Sequence, residues 1–196
     1  MGAGDKCLAP LAGRPLLAYA IDRLRPQVTA LVVNANGDPA RFRRFGLTVV
    51  PDSVAGFAGP LAGILAGMLW ARSHRPEVGR IATVATDTPF FPGDLIRRLS
   101  AAVAAGGEVA VAFCRGRDYP VFGIFAVALA DDLAAFLRES ADRAVKTWLD
   151  RLQVARVDFT PETEEVRDPF FNINTPADLT AAETMLGGPD ERAPMR

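Results

Sequence analysis

The sequence predicts an α/β fold built on a mostly parallel sheet with one antiparallel strand. Short apolar runs alternate with amphipathic helical patterns along the 196 residues, which is the order found in parallel sheets with crossover helices. Three successive apolar runs are followed by the polar residues Asn34, Asp52 and Asp87. One connection, residues 115–118, is too short to join parallel strands, so the strands flanking it are expected to pair antiparallel.

The first half of the chain begins with a predicted helix that Pro15 opens and Pro26 ends. Its apolar residues recur at helical spacing and form one face. That face comprises Leu16, Leu17, Ala20, Ile21 and Leu24. In order, the predicted elements are a helix at 14–25, a strand at 30–33, a short helix at 39–45 and a strand at 47–50.

A further helix is expected to begin at Pro60, and its N-terminus would suit an anion. Gly63 and Gly67 lie one turn apart on it, although glycine inside a helix costs about 1 kcal/mol relative to alanine. We therefore expect something to approach this helix closely. Either the sheet or a ligand satisfies that expectation.

The second half of the chain centres on Asp87, the first carboxylate after a predicted strand at 80–85. That strand is expected to be buried on both faces, as in a parallel sheet, and Pro92 suits the first turn of the helix after it. The remaining predicted elements are helices at 92–105, 129–138 and 143–152 and strands at 109–113, 119–127 and 154–159.

A second dense motif runs from Asp168 to Pro176. Thr175 is expected to cap the helix that Pro176 begins, with Asp178 completing an arrangement close to a capping box. Asn172 and Asn174 precede this cap. Their amides either contact a ligand or satisfy backbone groups of the loop.

Composition excludes several classes of function. A formal net charge of -1 argues against general nucleic-acid binding. Two separated cysteines and one histidine provide no zinc spacing, redox pair or disulfide framework. No apolar run is long enough for a membrane span, so we expect a cytoplasmic protein. One domain over residues 1–186 and a disordered tail over 187–196 are expected.

Lys6 follows closely spaced small residues, Gly2, Ala3 and Gly4. Such a segment is either a flexible start of chain or a place where backbone amides and the lysine approach a phosphate. Because parallel strands end on one edge, Asn34, Asp52 and Asp87 are expected to meet there beside Lys6. The chemistry indicated is nucleotidyl transfer, with Mg²⁺ held at Asp87 and bridging triphosphate oxygens.

Several motifs together indicate a family. They are Gly-Ala-Gly-Asp-Lys at 2–6, Leu-Ala-Gly-Arg-Pro-Leu at 11–16, Asn-Ala-Asn at 34–36, Pro-Asp-Ser at 51–53, Gly-Pro-Leu-Ala-Gly at 59–63, Asp-Thr-Pro at 87–89, Pro-Val-Phe-Gly at 120–123 and Asp-Pro-Phe-Phe-Asn-Ile-Asn-Thr-Pro at 168–176. With these motifs, which cover nearly all of its length, the chain resembles the molybdenum cofactor guanylyltransferases.

The resemblance implies a three-layer, Rossmann-like αβα sandwich of the nucleotide-diphospho-sugar transferase type. It implies transfer of GMP from GTP to the terminal phosphate of Mo-molybdopterin, with release of pyrophosphate. Carried over by motif, Lys6, Asn34 and Asp52 would contact GTP, Asp87 would bind it through Mg²⁺, and Asn172 and Asn174 would lie toward the pterin. Lys6 and Asp87 are the expected catalytic residues.

In that family, a strand and a Leu-Ala-Gly-Gly loop precede the segment that matches residues 1–6. Either the start codon is assigned too late, or the chain is shortened, or the protein lacks this segment; in the last case the central sheet is expected to be one buried strand short and the phosphate loop half present. A cytidylyltransferase of the same fold and a non-catalytic binder of nucleotide or molybdopterin are the alternatives. The protein is expected to be a monomer, with other proteins of molybdenum cofactor biosynthesis and apo-molybdoenzymes as partners.

Overall fold

A computed structural model of the protein describes residues 6–53, 59–104, 106–140, 142–163 and 167–187. The strands are β1 (Pro10–Leu11), β2 (Arg14–Pro15), β3 (Val32–Asn34), β4 (Thr48–Val50), β5 (Arg80–Thr83), β6 (Val109–Cys114), β7 (Arg117–Ala126) and β8 (Val154–Asp158). The α-helices are α1 (Leu16–Leu24), α2 (Pro60–His74), α3 (Leu95–Val103), α4 (Ala130–Glu139), α5 (Val145–Leu149) and α6 (Pro176–Gly187). Short 3₁₀ helices occupy Lys6–Leu8, Arg25–Gln27, Pro39–Phe45 and Val127–Leu129. No helix within the described ranges is long and apolar enough to cross a membrane.

The larger sheet has the strand order β5-β7-β6-β8. The strand β7 is antiparallel to β5 and to β6, whereas β6 and β8 are parallel. The predicted α/β class and the single reversed strand are therefore confirmed. The chain reverses between β6 and β7 at Arg115 and Gly116, both at positive φ, so the turn is shorter than the predicted 115–118 and β7 begins at Arg117.

Helices cover the larger sheet on both faces. On one face, α1 and α3 pack over Ala110, Ala112 and Ile124. On the other face, α2, α4 and α5 pack over Val109, Val111 and Phe125. The side chains of a strand alternate between the two faces of its sheet, and the alternation along β6 separates these two cores. The predicted three-layer arrangement follows from this packing.

The strands β3 and β4 form a separate two-stranded parallel sheet. Among the strands of the described ranges, none pairs with the second edge of β3 or of β5. A cleft of about 790 Å³ lies between them, walled by Leu17 and Ile21 of α1 and by Gly67 and Trp70 of α2.

The prediction that residues 80–85 are buried on both faces is wrong. Arg80 is exposed and residues 81–85 are only half-buried, because they border the cleft instead of another strand. The strand also ends earlier than predicted, at Thr83, whose hydroxyl donates to the Val121 carbonyl at 2.6 Å.

The first predicted helix begins later than expected, at Leu16 instead of residue 14. Arg14 and Pro15 pair with β1 in a hairpin, and its turn residues Ala12 and Gly13 have φ values of 48° and 78°. Two left-handed residues form the type I′ turn that suits a tight hairpin. The helix predicted at 143–152 is shorter as well, at Val145–Leu149, and the Asp142 carboxylate accepts from Ala144 N at 3.0 Å just before it begins.

Gly123 lies in the interior strand β7, where a Cβ would come within 2.9 Å of the Ala110 carbonyl oxygen. That oxygen belongs to the neighbouring backbone and has no room to move. We expect Gly123→Ala to lower the free energy of unfolding by about 1–3 kcal/mol, measured by urea denaturation. Gly79→Ala is the matched control, since nothing lies within 4 Å of its added Cβ. Equal stability of the two variants would contradict this account of the packing.

Candidate active site

Asp87 lies beyond the carboxyl end of β5, in a loop that the backbone fixes in place. Its carbonyl accepts a hydrogen bond from Ile173 N at 2.9 Å. Its side-chain Oδ2 accepts from the Lys6 ammonium at 2.6 Å. The neighbouring Thr88 is buried. The carboxylate therefore faces the edge of the sheet while its backbone is tied to the loop 168–175.

Tyr119 holds the start of that loop through a hydrogen bond and a ring contact. The Tyr119 hydroxyl donates to Asp168 Oδ2, and the Tyr119 ring stacks on Phe170 at 4.7 Å between centroids. Burial raises the pKa of Tyr119 to about 12, and the hydrogen bond to Asp168 adds to the shift. The hydroxyl therefore stays protonated and keeps its donor role at neutral pH.

The other end of the loop is held by the cap predicted for α6. Asp178 N donates to Thr175 Oγ1 at 3.1 Å, and Thr175 N donates back to Asp178 Oδ2 at 2.8 Å. Asn174 N donates to the same carboxylate oxygen. These backbone donors lower the pKa of Asp178, so the cap holds at neutral pH and weakens as the pH falls through that lowered pKa.

Asn172 and Asn174 lie between Phe170 and the Thr175–Asp178 cap, and both side chains point at Lys6. The Lys6 ammonium donates to Asn172 Oδ1 at 3.3 Å and to Asn174 Oδ1. Both amide oxygens therefore contact Lys6, and their contact with a ligand stays a prediction. Lys6, Asp87 and both asparagines form one group, which we call the lysine cluster.

A second polar group follows β3 and β4. The Asn34 amide donates to Val50 O and to Asp52 Oδ1, both at 3.0 Å. Asn36 donates to Asp52 Oδ2 at 2.7 Å and accepts from Asp52 N at 2.9 Å. Sequence reasoning did not assign Asn36 to the site, although its place two residues after Asn34 on the same strand end was the available signal.

Close packing against α2 accounts for the two glycines of this helix. A Cβ at Gly63 would lie 2.5 Å from Asn34 Oδ1, and a Cβ at Gly67 would lie 3.1 Å from Ile81 Cδ1. The helix thus touches both sides of the cleft, and Gly63 leaves the space that the Asn34 side chain occupies. Close approach of the sheet, one of the two expectations, is confirmed.

The two polar groups border the same opening. Asn34 lines the cleft from one side, and Asp87 and Asn172 line it from the other. Residues 2–5, which carry most of the predicted phosphate-binding segment, lie outside the described residues, as do residues 54–58 before α2. Within the described part of the chain, no group of three histidine, cysteine or acidic side chains could hold a metal ion. A metal held at Asp87 would take its other ligands from amide, phosphate or water oxygens.

His74, the single histidine, lies at the end of α2. Its ring stacks on Trp70 with centroids 5.2 Å apart, and its Nδ1 lies 3.0 Å from the Trp70 carbonyl oxygen. The site therefore relies on a lysine, carboxylates and amides, which suits binding and orientation of a charged ligand more than proton transfer.

Comparison with known proteins identifies the family of the chain. Residues 1–157 match the MobA-like NTP transferase domain. A molybdenum cofactor guanylyltransferase from Bradyrhizobium sp. strain ORS 278 is 50% identical over 194 residues, covering 98% of this chain and 90% of the relative.

Solved structures agree on the fold. Molybdopterin-guanine dinucleotide biosynthesis protein A from Archaeoglobus fulgidus superposes with a TM-score of 0.73 at 23% identity, covering 94% of this chain and 92% of its own. The 4-diphosphocytidyl-2C-methyl-D-erythritol synthase from Anaerococcus prevotii superposes with a TM-score of 0.71 at 14% identity, covering 95% of both chains. The domain match and the extent of identity therefore establish that the chain belongs to the MobA-like NTP transferase family and is a nucleotidyltransferase.

Proposed function

We propose that the protein transfers GMP from GTP to the terminal phosphate of Mo-molybdopterin, forming molybdopterin guanine dinucleotide and releasing pyrophosphate. The observation that carries the proposal is the lysine cluster, in which the Lys6 ammonium lies 2.6 Å from Asp87 Oδ2 at the carboxyl edge of the sheet. The 50% identical relative bears the name of this activity.

The reaction requires stabilisation of negative charge on the phosphate groups and little general acid–base catalysis. A phosphate oxygen of the acceptor forms a bond to the α-phosphorus of GTP, and the bond from that phosphorus to the bridging oxygen of pyrophosphate breaks. The attacking phosphate is already anionic, so no residue has to remove a proton. This fits a site whose described polar groups are Lys6, Asp52, Asp87 and asparagine amides.

The proposed roles belong to residues on both sides of the cleft. Asp87 would hold Mg²⁺, which when bound neutralises triphosphate charge and polarises phosphoryl oxygens. Lys6 would offset the charge that develops on the departing pyrophosphate. Asn34 and Asp52 would contact GTP from the opposite side, and Asn36 holds the Asp52 carboxylate in place.

The remaining assignments follow from this reaction. Mo-molybdopterin is the second substrate, and other proteins of molybdenum cofactor biosynthesis and apo-molybdoenzymes would supply it or receive the product. We propose that the protein acts as a monomer in the cytoplasm.

Asp87→Asn should reduce pyrophosphate release on the order of 100-fold or more, since it removes the charge that holds the metal. The measurement uses purified protein with GTP, Mg²⁺ and Mo-molybdopterin. Asp94→Asn is the control, because Asp94 pairs with Arg97 on the surface at the start of α3. Normal turnover in Asp87→Asn would remove this carboxylate from the mechanism.

Competition among GTP, CTP and ATP tests the nucleotide. We expect GTP to give the highest kcat/KM with Mo-molybdopterin as acceptor. A preference for CTP would instead make the protein a cytidylyltransferase, an activity that the Anaerococcus neighbour's fold accommodates. Nucleotide binding with no pyrophosphate release would support the non-catalytic binder.

Gly63→Ala should raise KM for GTP about tenfold with a smaller change in kcat. The new Cβ would push Asn34 away from Asp52, and loss of one hydrogen bond of about 1.4 kcal/mol corresponds to that factor. Gly67→Ala is the control on the same helix face, because its Cβ meets only the flexible end of Ile81. Equal KM values in the two variants would argue against a role for Asn34 in nucleotide binding.

A further inference from the structure

The strand β7 extends past the end of its neighbour β5. The last pair between the two strands joins Thr83 to Gly123, so the first part of β7 continues beyond β5 on the side of the lysine cluster. After an irregularity at residues 120–122, this part pairs with β6 again, and Tyr119 lies opposite Ala112. Ala112 is fully buried. Tyr119 therefore belongs to a strand that the core of the sheet holds in place.

Tyr119 contacts the loop before α6 at two points. Its hydroxyl donates to Asp168 Oδ2, and its ring stacks on the Phe170 ring with centroids 4.7 Å apart. The other oxygen of the Asp168 carboxylate accepts from Phe170 N at 2.8 Å. One side chain of the sheet thus holds a carboxylate and a ring of this loop.

The hydrogen bond and the ring contacts restrict the loop in different ways. Phe170 is 2% exposed, and the rings of Phe122 and Phe159 also surround it, with centroids 4.9 and 5.7 Å away. Burial of apolar surface is non-directional, whereas a hydrogen bond weakens steeply as its angle changes. The bond between Tyr119 and Asp168 therefore fixes the direction in which the loop continues.

The loop reaches the lysine cluster within four residues of Phe170. Both asparagines of the cluster lie in this stretch, and their Oδ1 atoms accept from the Lys6 ammonium. Ile173, between them, is fully buried and donates its N–H to the Asp87 carbonyl at 2.9 Å. A change in the direction of the loop would therefore shift the contacts of Lys6 and of Asp87 together.

We propose that Tyr119 and Asp168 are positioning residues for the transfer reaction, and that their hydrogen bond sets the placement of residues 172–174 and thereby of the Lys6 ammonium. Both side chains act through the loop and not on the reacting atoms. The kinetic consequence rests on the proposed function, whereas the placement of the loop does not.

A misplaced loop should affect the transition state more than bound GTP. Lys6 would act on charge that develops as pyrophosphate departs, and an interaction made only in the transition state contributes to kcat. Asn34 and Asp52 would hold GTP from the other side of the cleft, where neither contacts this loop.

The kinetic test compares Tyr119→Phe, which keeps the ring and removes the hydroxyl, with Tyr19→Phe. Tyr19 is the other tyrosine of the chain, and its hydroxyl donates to the Leu11 carbonyl at 2.9 Å, outside the loop. Tyr119→Phe should lower kcat for pyrophosphate release about tenfold and leave KM for GTP unchanged. Tyr19→Phe should change neither constant.

Asp168→Asn tests the other partner of the hydrogen bond. The double variant of Tyr119→Phe and Asp168→Asn should lose no more kcat than the single variant with the larger loss, because both substitutions disturb one interaction. Additive losses would overturn the proposal. A rise in KM for GTP that matches the fall in kcat would also overturn it, since general loosening of the fold has that effect.

Backbone hydrogen exchange, followed by NMR without substrates, tests the placement of the loop directly. The Ile173 N–H should exchange about tenfold faster in Tyr119→Phe and at the original rate in Tyr19→Phe. Equal rates in the two variants would overturn the proposal. If the unmodified protein releases no pyrophosphate, the guanylyltransferase function fails, and the exchange rates still decide whether Tyr119 positions the loop.

Discussion

The contact between Lys6 and Asp87 is the interaction on which the rest of the site depends. It joins residues 81 positions apart in the chain, and the Asp87 carbonyl receives the Ile173 N–H from a third segment. Each segment alone is a loop with polar residues. Because the three are tied by one ion pair and one backbone hydrogen bond, they present a cation and three oxygens at a single point.

The cleft is the second constraint on the site. A cleft of about 790 Å³ separates the strands β3 and β5, and no strand in the described part of the chain lies between them. The helix α2 spans the gap, since Gly63 approaches Asn34 and Gly67 approaches Ile81. The polar groups on the two sides of the opening are therefore positioned by helix packing, where a continuous sheet would use backbone hydrogen bonds.

Much of the site was predictable because parallel strands share an edge. Asn34 and Asp52 follow strands that pair in parallel, so their contact at one edge followed from the fold class, whereas Asp87 lies across the cleft from Asn34. The role of Asn36 was missed, since its hydrogen bonds to Asp52 depend on how β3 and β4 are aligned. The hairpin before α1 was missed because the proline at residue 15 is also typical of a helix start.

The amino-acid sequence by itself determined the order of strands and helices from α1 onward, the reversed strand after the turn that begins at residue 115 and the cap formed by Thr175 and Asp178. These depend on local periodicity and on residues within one turn of each other, which a linear pattern records. Only the tertiary structure decided that Asn172 and Asn174 face Lys6, and that a cleft interrupts the sheet beside β5. Those features depend on packing between segments far apart in the chain, where no local pattern specifies direction or distance.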